Sequence, residues 1–288
     1  MPGKRLVIVL GPTAVGKTDY SISLAQKYGS PVISCDSRQI YREMSIGTAV
    51  PDKDQLALVT HYFIHSHSVE NLYTAGKYEV EALKLINELF EEGRDTLVMC
   101  GGSGFYIDAL VNGLDDFPKT DMNLRSELSS ILRAEGVRPL AERLRELDPA
   151  TCAVIDMSNG QRVLRALEVC LVSGRPFSSF KTNSIKKRDF QVEKIGLLRP
   201  REELYRRIDK RVLKMIDDGL VEEVRSLEKY RDLPALQTVG YKEIFDWFDG
   251  SVNTLERAVE LIQRNTRHYA KRQLSYFRRD PSVRWIEM

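Results

Sequence analysis

The segment Gly11-Pro12-Thr13-Ala14-Val15-Gly16-Lys17-Thr18 has the spacing G-x-x-x-x-G-K-[ST], and each fixed position in that spacing has a chemical use. Glycines let successive backbone N–H groups converge on phosphate oxygens, and a following helix start adds positive potential. Lys17 supplies a full charge, and the Thr18 hydroxyl can ligate Mg²⁺. The bland alternative is a chance Gly-rich turn. An apolar run, Leu6 to Leu10, precedes the segment and a helical pattern follows it, which is the context a phosphate-binding P-loop requires. Phosphate binding follows from this; phosphate transfer does not.

A P-loop enzyme that hands on a phosphoryl group usually holds its metal with an acid at the end of another core strand. Here the run ending at Cys100 enters Gly101-Gly102-Ser103-Gly104, which carries no acid. The nearest candidate is Asp36, in Cys35-Asp36-Ser37-Arg38-Gln39-Ile40-Tyr41. A carboxylate at the C-terminal edge of a strand, beside a bound diphosphate, is placed for acid–base work. Its bland reading is a turn former or helix cap. His61, His65 and His67 have a metal-like look, but H-x-x-x-H-x-H lacks an acid at ligand spacing, so a loop near the substrate cleft is the better expectation.

Alternating elements must position these groups. Leu6 to Leu10 reads as a strand, Asp19 to Tyr28 as a helix, Pro31 to Cys35 as a strand, Lys77 to Glu92 as a helix and Thr96 to Cys100 as a buried strand. Strands separated by helices imply a parallel sheet with crossover helices on its faces. From Gly113 the texture changes. Asp121 to Arg133 and Gln161 to Val172 carry apolar residues at helical spacing, with no strand between them. Val192 to Leu198 then resembles a returning core strand, and long helices are expected to run to the end. The expected fold is α/β: a P-loop NTPase-like parallel sheet flanked by helices, formed by residues 1–112 and 191–288, with an inserted all-helical domain at 113–190.

Composition narrows the class. The chain has 288 residues, 42% hydrophobic and 29% charged, enough for a sizeable core. Its four cysteines form no C-x-x-C pair, so neither a disulfide framework nor a zinc site is signalled, and a reducing, cytoplasmic setting fits. The Leu6–Leu10 run is too short for a signal-peptide core or a membrane span. A net charge of +2 excludes bulk polyanion binding, so any such role rests on local clusters. Arg264, Arg267, Lys271, Arg272, Arg278 and Arg279 form one, interleaved with Tyr269, Tyr276 and Phe277; Lys181, Lys186, Lys187 and Arg188 form another.

GPTAVGKT, DSRQIY followed by IGTA, GGSGFY, QRVLRALEV, VGYKE and YAKRQLSYFRR fall in this order along the chain. Together they resemble the tRNA dimethylallyltransferases (tRNA isopentenyltransferases) of bacterial type, over residues from about 5 to 285. The resemblance implies transfer of a dimethylallyl group from dimethylallyl diphosphate to N6 of the adenosine immediately 3′ of the anticodon in tRNA. The diphosphate would be the leaving group, held by Gly11 to Thr18 with Mg²⁺ on Thr18, while Asp36 takes the proton from N6. An arginine of the segment Tyr205 to Arg211, Arg207 or Arg211, would reach the same diphosphate. Contacts to the tRNA anticodon stem-loop would come from Asp36, Ser37, Arg38 and Gln39, from Ser103 and Arg125, from Gln161, Arg162, Val163, Leu164 and Arg165 in the insertion, and from Gln237, Thr238, Val239, Gly240 and Tyr241. Ser103 stands where the family commonly has threonine, and His65 where it usually has aspartate. A monomer without membrane association is expected. Two alternatives stay open: an adenylate isopentenyltransferase acting on free AMP, ADP or ATP, and a P-loop small-molecule kinase. A large basic surface argues against the first, because a free nucleotide does not need one.

Overall fold

The computed structural model describes residues 3–182 and 184–288, so the expectations touching Met1, Pro2 and Asn183 lie outside the described residues. The chain folds as two compact units, residues 1–111 with 187–288, and residues 112–186.

The first unit holds a six-stranded sheet. Its strands are β1 (Arg5–Leu10), β2 (Val32–Ser34), β3 (His61–Tyr62), β4 (Thr96–Gly101), β5 (Gln191–Leu198) and β6 (Val283–Glu287). They lie in the order β3-β2-β4-β1-β5-β6, and every pair is parallel. Leu6 to Leu10 are all buried, as a central parallel strand covered on both faces demands. Among the helices, α1 (Lys17–Tyr28), α2 (Lys53–Leu58), α3 (Ala75–Glu91) and α4 (Gly104–Asn112) belong to the first half of the chain. Thr74 caps α3 by accepting from the Lys77 N–H at 3.2 Å, which satisfies one of the donors a helix start leaves unpaired.

In the second unit, α5 (Met122–Glu135), α6 (Arg138–Leu147), α7 (Pro149–Val154) and α8 (Gly160–Ser173) bury Leu128, Leu140, Leu144, Val163, Leu164 and Leu167 together. Asp121, Asp148 and Asn159 cap α5, α7 and α8. The chain then returns through β5 to α9 (Arg201–Asp217), α10 (Leu220–Ser226), α11 (Tyr241–Phe248) and α12 (Leu255–Phe277).

The α/β sheet expected from the sequence is present, with two corrections at its edges. Helices do not run to the end of the chain: after α12, Val283–Glu287 pairs with Lys194–Leu198 as β6. His61 begins the edge strand β3 instead of lying in a loop. No helix among the described residues is long and apolar enough to cross a membrane.

Candidate active site

The P-loop joins β1 to α1 over the C-terminal edge of the sheet, where ligands of open α/β sheets bind. Gly11 has φ 144°, and a Cβ there would lie 2.8 Å from the Leu197 carbonyl oxygen of β5, so the loop can pass only as glycine. Ala14 adopts φ 64°, a left-handed conformation that a non-glycine residue holds only when its surroundings impose it. Those surroundings are cationic. Arg207 donates through Nε to the Ala14 carbonyl at 2.8 Å, Arg199 through Nε to the Val15 carbonyl at 2.9 Å, and Arg211 through Nη1 to Thr13 Oγ1 at 3.3 Å. Lys17 folds back on the loop and donates to the carbonyls of Gly11 and Pro12 at 3.0 and 2.8 Å. Burial pushes its ammonium below the ordinary lysine range, Arg211 pushes the same way, and Cys100 and Asp36 oppose it.

Of these residues, Thr13, Ala14, Lys17, Arg207 and Arg211 line a cleft of about 370 Å³. Thr13, Ala14 and Gly16 to Asp19 form one wall, and Asp36 to Gln39 with Gly47 to Ala49 form another. Arg207, Arg211, Val212, Met215, Val239, Ile262 and Tyr269 also line the cleft, so it holds both cationic and apolar groups. Burial also lowers the affinity of Arg211 for its proton, and the neighbouring Arg207 adds to the effect. Lys17 and Arg211 are partly buried and Arg207 stands exposed beside them, so three cations converge on one end of the loop, where an anion would balance them.

Asp36 is both a turn former and a cleft group. Its Oδ1 accepts from the N–H groups of Arg38 and Gln39 at 2.8 and 3.3 Å, while Oδ2 takes no hydrogen bond from the described residues. Ser103 Oγ accepts the Ser37 N–H at 2.9 Å and donates to Ser37 Oγ at 3.2 Å, tying the end of β4 to the segment after Asp36. Gln39 donates both amide hydrogens to the Thr48 and Ala49 carbonyls, at 3.2 and 2.9 Å, and its oxygen accepts from Ser34 Oγ at 3.4 Å, which leaves one lone pair of that oxygen for a ligand. Arg38 places Nη1 on the Ser37 carbonyl and keeps a buried Nε without a partner among the described residues.

The sequence model described as IPP transferase matches residues 39–280. The chain belongs to the IPP transferase family. It is 51% identical over 281 residues to a protein of Porphyromonas gingivalis named tRNA dimethylallyltransferase 2, with 98% of this chain and 93% of the relative covered. It is 48% identical over 282 residues to the tRNA dimethylallyltransferase of Christiangramia forsetii, with the same coverage. Among solved structures, the full-length tRNA isopentenylpyrophosphate transferase of Bacillus halodurans aligns with TM-score 0.70 and 37% identity, covering 99% of this chain and 90% of that one. A eukaryotic dimethylallyltransferase, described as acting on tRNA, aligns with TM-score 0.80 and 25% identity, covering 99% and 74%.

Within this family member the expected site residues separate. Gly16, Lys17, Thr18, Asp36, Ser37, Arg38, Gln39, Arg207, Arg211, Thr238, Val239 and Gly240 line one cleft. Gln237 does not; its amide donates to the Arg231 carbonyl at 2.7 Å. Tyr241 corrects the reading that gave it to RNA. Its side chain is 0% exposed and its hydroxyl donates to Glu223. In the helical unit, Val163 and Leu164 are likewise 0% exposed, because the helical period turns them into the core between Arg162 and Arg165. Arg125 and Arg165 both bond the buried Glu168, at 3.0 and 2.8 Å, whereas Gln161 and Arg162 are exposed. The three histidines go to separate partners, His61 to the Val59 carbonyl, His65 to Ser45, and His67 to Ser66 and Glu81.

Sequence reasoning missed Gln273, Tyr269, Thr266 and Ile262, which line the cleft from α12. A signal existed. These four recur at helical spacing on the stripe that also buries Ala270 and Phe277, so the two polar ones sit where a plain core stripe would be apolar.

Proposed function

We propose that the chain transfers a dimethylallyl group from dimethylallyl diphosphate to N6 of the adenosine immediately 3′ of the anticodon in tRNA, releasing diphosphate. One observation carries this reading: a single cleft is lined by the P-loop with Lys17, Arg207 and Arg211, by Asp36, and by the apolar Val212, Met215 and Ile262. A diphosphate would satisfy the cations, and its short hydrocarbon chain would lie along Val212, Met215 and Ile262.

The N6 lone pair attacks C1 of the dimethylallyl group while the C1–O bond to the diphosphate breaks. Neutral N6 is a weak nucleophile, so placement and a base both matter. Asp36, through Oδ2, takes the N6 proton. The charge that develops on the departing diphosphate is met by Lys17, Arg207 and Arg211 and by the backbone N–H groups at the start of α1. Thr18 lines the same cleft, and its hydroxyl is a hard oxygen donor of the kind Mg²⁺ accepts alongside phosphate oxygens and water. Mg²⁺ held there by Thr18 would neutralise part of the diphosphate charge.

The acceptor adenine must leave the anticodon-loop stack to enter such a cleft. Gln39, whose oxygen keeps one lone pair beyond its Ser34 bond, and Arg38 face it there, and the exposed Gln161 and Arg162 of the helical unit serve the surrounding RNA. The protein is expected to act as a monomer. Incubation with labelled dimethylallyl diphosphate, Mg²⁺ and either bulk tRNA or AMP tests the reading. Label in tRNA alone supports it; label in AMP alone points to an adenylate isopentenyltransferase.

A further inference from the structure

We propose that Gln273 is a positioning residue that holds the P-loop in the shape that receives diphosphate and sets its distance from Asp36. The proposal rests on the reading of the P-loop as the diphosphate site.

Gln273 projects from α12 and is 7% exposed. Its Oε1 accepts the Thr13 N–H at 2.9 Å, and its Nε2 donates to the Gly102 carbonyl at 2.9 Å. The amide has only one workable orientation, because a backbone N–H can only donate and a carbonyl can only accept. Gly102 is built around it. A Cβ at that position would lie 2.2 Å from Gln273 Nε2, so the second glycine of Gly101-Gly102 leaves room for this side chain.

Thr13 precedes the left-handed Ala14 at the apex of the loop. Among the described residues, the side chains that hydrogen-bond Thr13, Ala14 and Val15 come from Arg211, Arg207, Arg199 and Gln273. Gln273 is the neutral one. A bound diphosphate attracts the arginines and Lys17, so their bonds to the loop compete with the ligand. The Gln273 bond does not, and it stays in place when the anion arrives.

Its second bond extends the restraint. Gly102 is followed by Ser103, which holds the Ser37 N–H at 2.9 Å next to Asp36. One chain of interactions, Thr13 to Gln273 to Gly102–Ser103 to Ser37, therefore links the leaving-group end of the cleft to its acid. A shift of an ångström at either end is enough to impair in-line transfer.

Titration calorimetry of the full chain with inorganic pyrophosphate and Mg²⁺ gives a readout independent of turnover. Gln273→Leu should weaken pyrophosphate binding roughly tenfold, the scale of one buried backbone donor left unpaired. KM for dimethylallyl diphosphate should rise in parallel, and single-turnover transfer at saturating donor should fall as well, because the loop is no longer held at its distance from Asp36. Gly102→Ala should reproduce both effects by expelling the glutamine. Gln273→Glu adds a pH test, because the protonated acid can accept from Thr13 and donate to Gly102 as the amide does, whereas the carboxylate cannot donate and repels the ligand. Its affinity relative to the parent at the same pH should recover as pH falls. If Gln273→Leu does not fold, the Gln273→Glu series decides. A folded Gln273→Leu with parent affinity, or a Gln273→Glu whose relative affinity is flat with pH, overturns the proposal and leaves the diphosphate site standing. A parent chain that binds no pyrophosphate overturns both.

Discussion

Tyr241 donates its hydroxyl to Glu223 Oε1 at 2.6 Å, and the same carboxylate accepts the N–H groups of Ser45, Ile46 and Gly47 at 2.9, 2.8 and 3.0 Å. That turn carries the Thr48 and Ala49 carbonyls which hold Gln39 in the cleft. Removing one donor from a charged acceptor should cost about 1.5–3 kcal/mol, so Tyr241→Phe should unfold at lower urea by that amount and keep its donor affinity. Glu223→Ala leaves three N–H groups unpaired and should also raise KM for tRNA, because Gln39 loses its support. A Glu223→Ala chain with parent stability and parent KM for tRNA would show that the cradle does not support the site.

Asp36→Asn is the sharper test of the base. Asparagine keeps an Oδ1 acceptor for the Arg38 and Gln39 N–H groups, so the turn survives while the basic oxygen is lost. Single-turnover transfer should fall by about 10²- to 10⁴-fold, the usual contribution of a positioned base. Pyrophosphate affinity should hold or improve, since a nearby negative charge is gone. Parent-like turnover in this variant removes Asp36 from the proton transfer.

Lys17→Met should move two parameters together. The ammonium meets the diphosphate in the ground state and meets more charge in the transition state, so KM for the donor should rise and kcat should fall. Unchanged values of both would end the diphosphate assignment of the loop.

These residues were legible because their spacing is local. Eight consecutive positions define the P-loop, and Asp36 closes an apolar run, so both could be placed from sequence alone. Tyr241 was not legible, because a sequence block says which residues cluster and not which way each side chain points. Two positions from Val239, which lines the cleft, the chain has already turned Tyr241 into the core against Glu223. Gln273 was hidden among Arg264 to Arg279, where charge dominates the pattern and a single inward amide does not. The strand Val283–Glu287 mixes charges with apolar residues over a short length and becomes a strand only by pairing with β5, a partner remote in sequence.

Asp280 makes that edge strand sensitive to acid. Burial alone would raise its carboxyl pKa, but hydrogen bonds from Lys194 and Ser282 and the charge of Lys194 outweigh it and hold the group below its ordinary 3.8. A depressed carboxylate contributes stability that is present above the unfolded pKa and lost as pH falls through the folded one. The gap in urea midpoint between parent and Asp280→Asn should therefore be full at neutral pH and close as pH drops below 3.8. A gap that persists unchanged to lower pH would assign the effect to packing instead of charge.

The basic helix α12 separates into cations that are paired within the fold and cations that stand exposed. Arg267 bonds Asp209 at 2.5 Å, so its charge is already balanced within the fold. Arg264, Lys271 and Arg278 are exposed and recur every seven residues, which places them along one face. If that face meets tRNA phosphates, each neutralised phosphate releases counterions on binding. Replacing all three with glutamine should then weaken tRNA binding and reduce the log–log salt slope by roughly 0.7 to 0.9 for each phosphate no longer neutralised. Pyrophosphate affinity should not change, because the P-loop and its arginines are untouched. Arg267→Gln should behave differently: it breaks an ion pair between partly exposed groups, costs little stability, and leaves the salt slope nearly unchanged. Overlaying salt titrations for the parent and the folded triple variant would take this face out of the RNA surface. Arg162, exposed on the helical unit, would then be the next cation to neutralise.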